Sequence, residues 1–142
     1  MISKRVALCI PVAALVLHLA TITASTPTDA MPVRLVDATF PAYPPIAQVA
    51  GKSGAIAAEV HLNSNCVISM VSVTGDKLFI AAVQESVSKW RFAGCNQSAT
   101  TIEARFKFEL NGENNDWTPT DVEMISPWNF IISTAQPERN FQ

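Results

Sequence analysis

A chain of 142 residues, 49% of them hydrophobic, is long enough for about one domain with a buried core. Its 10 Lys+Arg against 12 Asp+Glu give a formal net charge of −2 and form no basic stripe, which argues against a nucleic-acid partner. With 2 histidines and 3 cysteines, a metal centre lacks its usual ligands, and no cofactor is expected.

Lys4 and Arg5 precede an apolar run over residues 6–20, and polar residues begin at Thr21. This is the pattern of a secretory signal peptide over residues 1–24, with Ile22 and Ala24 at the cleavage positions. The alternative is an uncleaved anchor, because residues 6–24 approach the ~20 needed to span a bilayer. Pro11, Thr21 and Thr23 weaken that alternative. Removing Lys4 and Arg5 with the signal leaves eight basic residues against twelve acidic ones. Cys9 lies inside the export segment after Leu8, where a lipoprotein signal needs a small residue, so lipidation is not expected. Cys66 and Cys95 remain, and two cysteines in an exported domain suggest one disulfide. Two buried free thiols are the other reading.

Residues 25–40 contain Pro27 and Pro32 and read as a short tether, with Val33-Arg34-Leu35-Val36 as a brief strand within it. Pro44-Pro45 suits the first turn of a short helix that runs to Ala50, and Gly51 ends it. From Gly54 the period becomes two. Ile56, Ala58, Val60 and Leu62 share one face, and Glu59 and His61 share the other. Asn63-Ser64-Asn65 supplies turn residues, and Val67, Ser69, Val71 and Val73 resume the alternation. The two runs predict an antiparallel hairpin with Cys66 at its tip.

Leu78, Phe79, Ala82, Val83, Val87 and Trp90 then recur at helical spacing, and Ala93-Gly94 closes that element. Ile102, Ala104, Phe106, Phe108 and Leu110 alternate with Glu103, Arg105, Lys107 and Glu109, the clearest strand in the chain. Asn111-Gly112 is its expected stop. Residues 111–142 form a polar extension with Trp117, Trp128 and Phe130-Ile131-Ile132, an added strand or a loose tail. The order helix, strand, strand, helix, strand predicts an α+β fold with two helices packed on a small three-stranded antiparallel sheet.

Over residues 41–110 the chain resembles the TonB C-terminal domain family, the terminal domains of bacterial periplasmic energy transducers. The resemblance rests on Tyr43-Pro44 near the first helix, Gly54 opening the hairpin, Leu78 leading the second helix, and Trp90-Arg91-Phe92 closing it. It departs at the hairpin tip, at Phe79 and at Ala93-Gly94-Cys95, which are turns and caps. The resemblance implies a core built on Tyr43, Pro44, Gly54, Leu78, Trp90 and Phe92. It also implies an edge strand, Thr101, Glu103, Arg105, Lys107 and Glu109, that captures a partner segment by strand addition, in the family a segment of an outer-membrane transporter. A homodimer is a further expectation of the family.

The leading expectation is therefore a periplasmic or secreted bacterial protein-binding module, linked to outer-membrane transport. One alternative is a short energy transducer anchored in the inner membrane and facing the periplasm. His18 is present for it, but Ala14 stands where the family's anchor carries serine. Its spacer is also short, since residues 25–40 reach only about 50–55 Å when extended. A small secreted inhibitor is a second alternative. An enzyme is not expected: Glu59, His61 and Cys66 are the nearest approach to a nucleophile–base–orienter set, and Cys66 has a better partner in Cys95.

Overall fold

The structure, a computed structural model, describes residues 32–114 and 120–137. The signal or anchor segment with Cys9 and His18, the first part of the tether and Trp117 lie outside them. In chain order the elements are β1 (Arg34–Asp37), α1 (Pro45–Val49), β2 (Gly54–Leu62), β3 (Ile68–Gly75), α2 (Lys77–Val87), β4 (Arg91–Ala93), β5 (Thr100–Asn114), β6 (Asp121–Ser126) and β7 (Asn129–Pro137). No helix among them is long and apolar enough to cross a membrane.

The two helices form as expected, but the sheet is not three-stranded. A five-stranded sheet runs in the order β3-β2-β5-β7-β6, and β1 pairs with β4 in a separate two-stranded ribbon. Two stretches account for the difference. The supposed tether contributes β1, whose Leu35 pairs with Phe92. The extension contributes β6 and β7, with β7 parallel to β5 from Arg105↔Asn129 onward. The physical reason is apolar surface. Phe130 and Ile132 alternate along β7 and are buried with Phe106 and Phe108 of β5, so a bare three-stranded sheet would leave that half of the core wet.

The inner sheet face carries the core. Ile56, Ala58, Val60 and Leu62 from β2 and Ile102, Ala104, Phe106 and Phe108 from β5 are all buried against α2, which contributes Phe79, Val83 and Val87. Asp76 caps α2 by accepting from Leu78 N–H at 3.0 Å. This phase sends Phe79 inward and leaves Leu78 36% exposed, so the leucine expected in the core lies at the surface. Phe79 stacks on Phe108 at 4.4 Å and meets Tyr43 edge-on at 5.6 Å. Gly54 lies against the same ring, where a Cβ would sit 2.6 Å from Phe79 Cε2.

α2 ends at Val87, three residues before Trp90. Trp90 is buried beyond the helix among Phe40, Phe106 and Phe130, and its indole N–H donates to Thr39 C=O at 2.8 Å. Phe92 is also buried, on β4 rather than on a helix end. Tyr43 is buried too, and its hydroxyl donates to Lys52 C=O. Pro44 is the N-cap of α1, as its fixed φ suits. α1 is held to β7 by Gln48 Nε2, which donates to Ala135 C=O at 2.7 Å.

Candidate functional site

The disulfide expected between Cys66 and Cys95 is formed, with Cα atoms 5.4 Å apart. It ties the tip of the β2–β3 hairpin to the segment after β4. Cys66 holds φ +61°, and the turn is closed by Asn63 Oδ1, which accepts from Asn65 and Val67 N–H. Cys66 sulfur is therefore no nucleophile for His61. His61 instead lies across from Thr101, whose hydroxyl is 3.1 Å from Nδ1, while Nε2 is 2.6 Å from Glu59 Oε1. Glu59 and His61 share one strand face, as period two requires, and the chain of contacts lies on the open outer face of the sheet. Among the described residues no group of three or more His, Cys, Asp or Glu side chains could hold a metal ion.

The charges of β5 on this face are paired within the strand. Arg105 Nε meets Glu103 Oε1 at 2.6 Å, and Lys107 pairs with Glu109. A shallow hollow of about 600 Å³ opens over Ala55 and Ala57 beside Arg105, Lys107 and Ile125, where small side chains lie between long ones. Its two cations already have carboxylate partners within their own strand.

The strand expected to be an open edge is interior. β5 has β2 on one side along Thr100 to Phe108 and β7 on the other from Arg105 onward. Arg105, Lys107 and Glu109 are thus covered by β7, and only Thr101 and Glu103 extend past its start. The cause is Phe130-Ile131-Ile132, whose burial needs a place beside Phe106 and Phe108.

Among the described residues the edges of the five-stranded sheet are β6 and β3, and they differ in chemistry. β6 is short, carries Asp121 and Glu123, and has a bulge between Met124 and Ser126. Charge, brevity and bulges are the usual protections of an edge against further pairing. β3 lacks the first two. No charged residue and no proline occurs from Val67 to Gly75, and its single irregularity, at Ser69, leaves Met70 to Gly75 in regular pairing with β2. The same irregularity puts Ile68, Val71 and Val73 together on the helix side and turns Val67 out to 57% exposure.

The direction of the free backbone groups of β3 follows from the ladder. Arg105 N–H donates to Trp128 C=O at 2.7 Å, on the β7 side. Direction alternates along a strand, so Ala104 and Phe106 face β2 and meet Ala58 and Ile56. Ala57 and Glu59 then face β3, where Thr74 and Ser72 answer them. Val71 and Val73 direct their N–H and C=O groups away from the sheet, and no strand of the described residues lies beside them. Sequence reasoning missed this edge because Val71 and Val73 read as core alternation. The usable signal was the lack of any lysine, glutamate or proline in the run.

The chain matches no protein-family model and no curated protein sequence in comparison with either.

Proposed function

We propose that this chain is an exported protein-binding module that takes up an extended partner segment by strand addition, and that β3 is the receiving edge. The observation that carries the reading is the uncharged, regularly paired run from Met70 to Gly75, with the backbone groups of Val71 and Val73 turned outward. Main-chain hydrogen bonds supply affinity in this mode. The side chains beside the edge supply selectivity. The disulfide supports an oxidising compartment, the periplasm or outside the cell, as the working site.

The test is a random peptide library displayed on phage, selected on the purified domain and followed by amide exchange of the complexes. Selected peptides are expected to slow exchange at Val71 and Val73. Val73→Pro removes an outward N–H that no strand of the described residues uses and is expected to abolish their binding while the circular dichroism spectrum is retained. Peptides that bind Val73→Pro as well as wild type, or that protect no β3 amide, would move the site elsewhere.

A further inference from the structure

At its first residues β3 runs into a groove of about 600 Å³. Val36, Val67, Ile68, Trp90, Arg91 and Phe92 line it, between the hairpin tip and the β1–β4 ribbon. The groove is open and of mixed lining: Val36 is 52% and Val67 57% exposed and supply apolar surface, Asn65 and Ser88 add polar groups, and the nearly buried Trp90 and Phe92 lie beneath. Exposed valines in such a groove are a place where a bulky side chain would displace water. Ile68 lies on the helix side of β3 with Val71 and Val73, so the groove is in phase with the inward side chains of an added strand.

Charge narrows the occupant. Nine consecutive residues, Val67 to Gly75, are neutral, so a charge on the paired stretch of a partner would find no counter-ion along the edge. Among the described residues Arg91 is the one charged side chain lining the groove. Its nearest carboxylate is Asp37, with Nε–Oδ2 at 3.9 Å and both side chains about two-thirds exposed or more. A pair that long and that wet holds the guanidinium weakly, which leaves it able to take a carboxylate from a partner.

We infer that the segment received by β3 is neutral where it pairs, places a bulky apolar residue in the groove, and carries an acidic residue next to that anchor, facing Arg91. This rests on the strand-addition reading of β3 and adds the partner's chemistry to it. The geometry selects against basic segments, and against short ones that end before the groove.

The experiment uses four fluorescein-labelled synthetic peptides that share one Thr/Val/Ser stretch of six residues. They end in Phe-Asp, Ala-Asp, Phe-Lys or Ala-Lys, and fluorescence anisotropy reads their affinities for the disulfide-bonded protein. The Phe-Asp peptide is expected to bind about tenfold or more tightly than Ala-Asp or Phe-Lys. Val67→Ser, at a position 57% exposed, is expected to erase the Phe preference and leave the weak binding of Ala-Asp. Arg91→Glu is expected to invert the preference between Asp and Lys. If all four peptides bind equally, and binding is lost only in Val73→Pro, the groove inference fails and strand addition stands. If none binds wild type, both fail. Elution at twice the monomer mass that Val73→Pro abolishes would make a second copy the occupant and overturn the peptide assignment.

Discussion

Gly54→Ala isolates one packing contact whose sign can be worked out beforehand. Glycine-to-alanine at an ordinary position stabilises by about 0.4–1 kcal/mol, because the unfolded chain loses freedom. At Gly54 the added methyl would sit 2.6 Å from Phe79 Cε2 and 2.9 Å from Cδ2. Phe79 is fully buried and has little room to give, with Phe108 stacked on it and Tyr43 set against its edge. Overpacking of a tight site costs about 1–3 kcal/mol. The net expectation is a loss of about 1–2 kcal/mol in urea unfolding at unchanged m-value. The reasoning makes a second, sharper claim. Phe79→Ala alone should cost about 3–5 kcal/mol, and on that background Gly54→Ala should turn neutral or stabilising, since the obstructing ring is gone. A double-mutant cycle reads this directly. Gly54→Ala stabilising the wild-type protein, or costing the same on both backgrounds, would refute the clash with Phe79.

Three further expectations concern the staple, the added hairpin and a buried phenol. Replacing Cys66 and Cys95 with serine opens a crosslink with sequence separation 29 and should cost about 3–4 kcal/mol in the chain-entropy model, read by thermal or urea unfolding; an unchanged midpoint would show that the bond adds no stability. Phe130→Ala should cost about 3–5 kcal/mol, because this ring is 2% exposed and lies 5.3 Å from Phe106 and 5.6 Å from Trp90. A silent Phe130→Ala would mean that β7 is not part of the core. Burial raises the Tyr43 pKa above its ordinary value, an effect that the hydrogen bond with Ser53 offsets in part. The neutral phenol is thus favoured in the fold, so its contribution is complete below the unfolded value near pH ~10 and is lost as pH rises through the raised folded value. Tyr43→Phe should flatten that alkaline slope in stability measured from pH 8 to 12. An equal slope in the variant would assign it to other groups.

Much of the local structure was legible in the residues. Period two over β2 and β5 marks one buried face on each. The Asn63-Ser64-Asn65 turn fixes the hairpin, and Pro44-Pro45 with Gly51 brackets α1 closely. These features depend on sterics and hydrophobicity within a few residues, which a sequence displays directly. The helix boundary was less legible. Trp90 keeps the apolar spacing of α2, yet the helix stops at Val87 because the following residues enter β4 and pair with β1. The phase of Leu78 and Phe79 was likewise set by the Asp76 cap and the facing ring of Phe108, which helical spacing alone does not order.

The sequence by itself determined the class of elements, the inward residues of β2 and β5, and the partnership of Cys66 with Cys95 once an oxidising compartment was assumed. Only the tertiary structure decided which strands are edges. Edge status depends on which other strand lies alongside, and β7 comes to β5 from more than 20 residues further along the chain. A strand's own alternation is the same whether its second side is open or paired. Arg105, Lys107 and Glu109, expected to receive a partner, were therefore covered by the β6–β7 hairpin, and the uncharged open edge is β3, where local pattern indicated only a core strand.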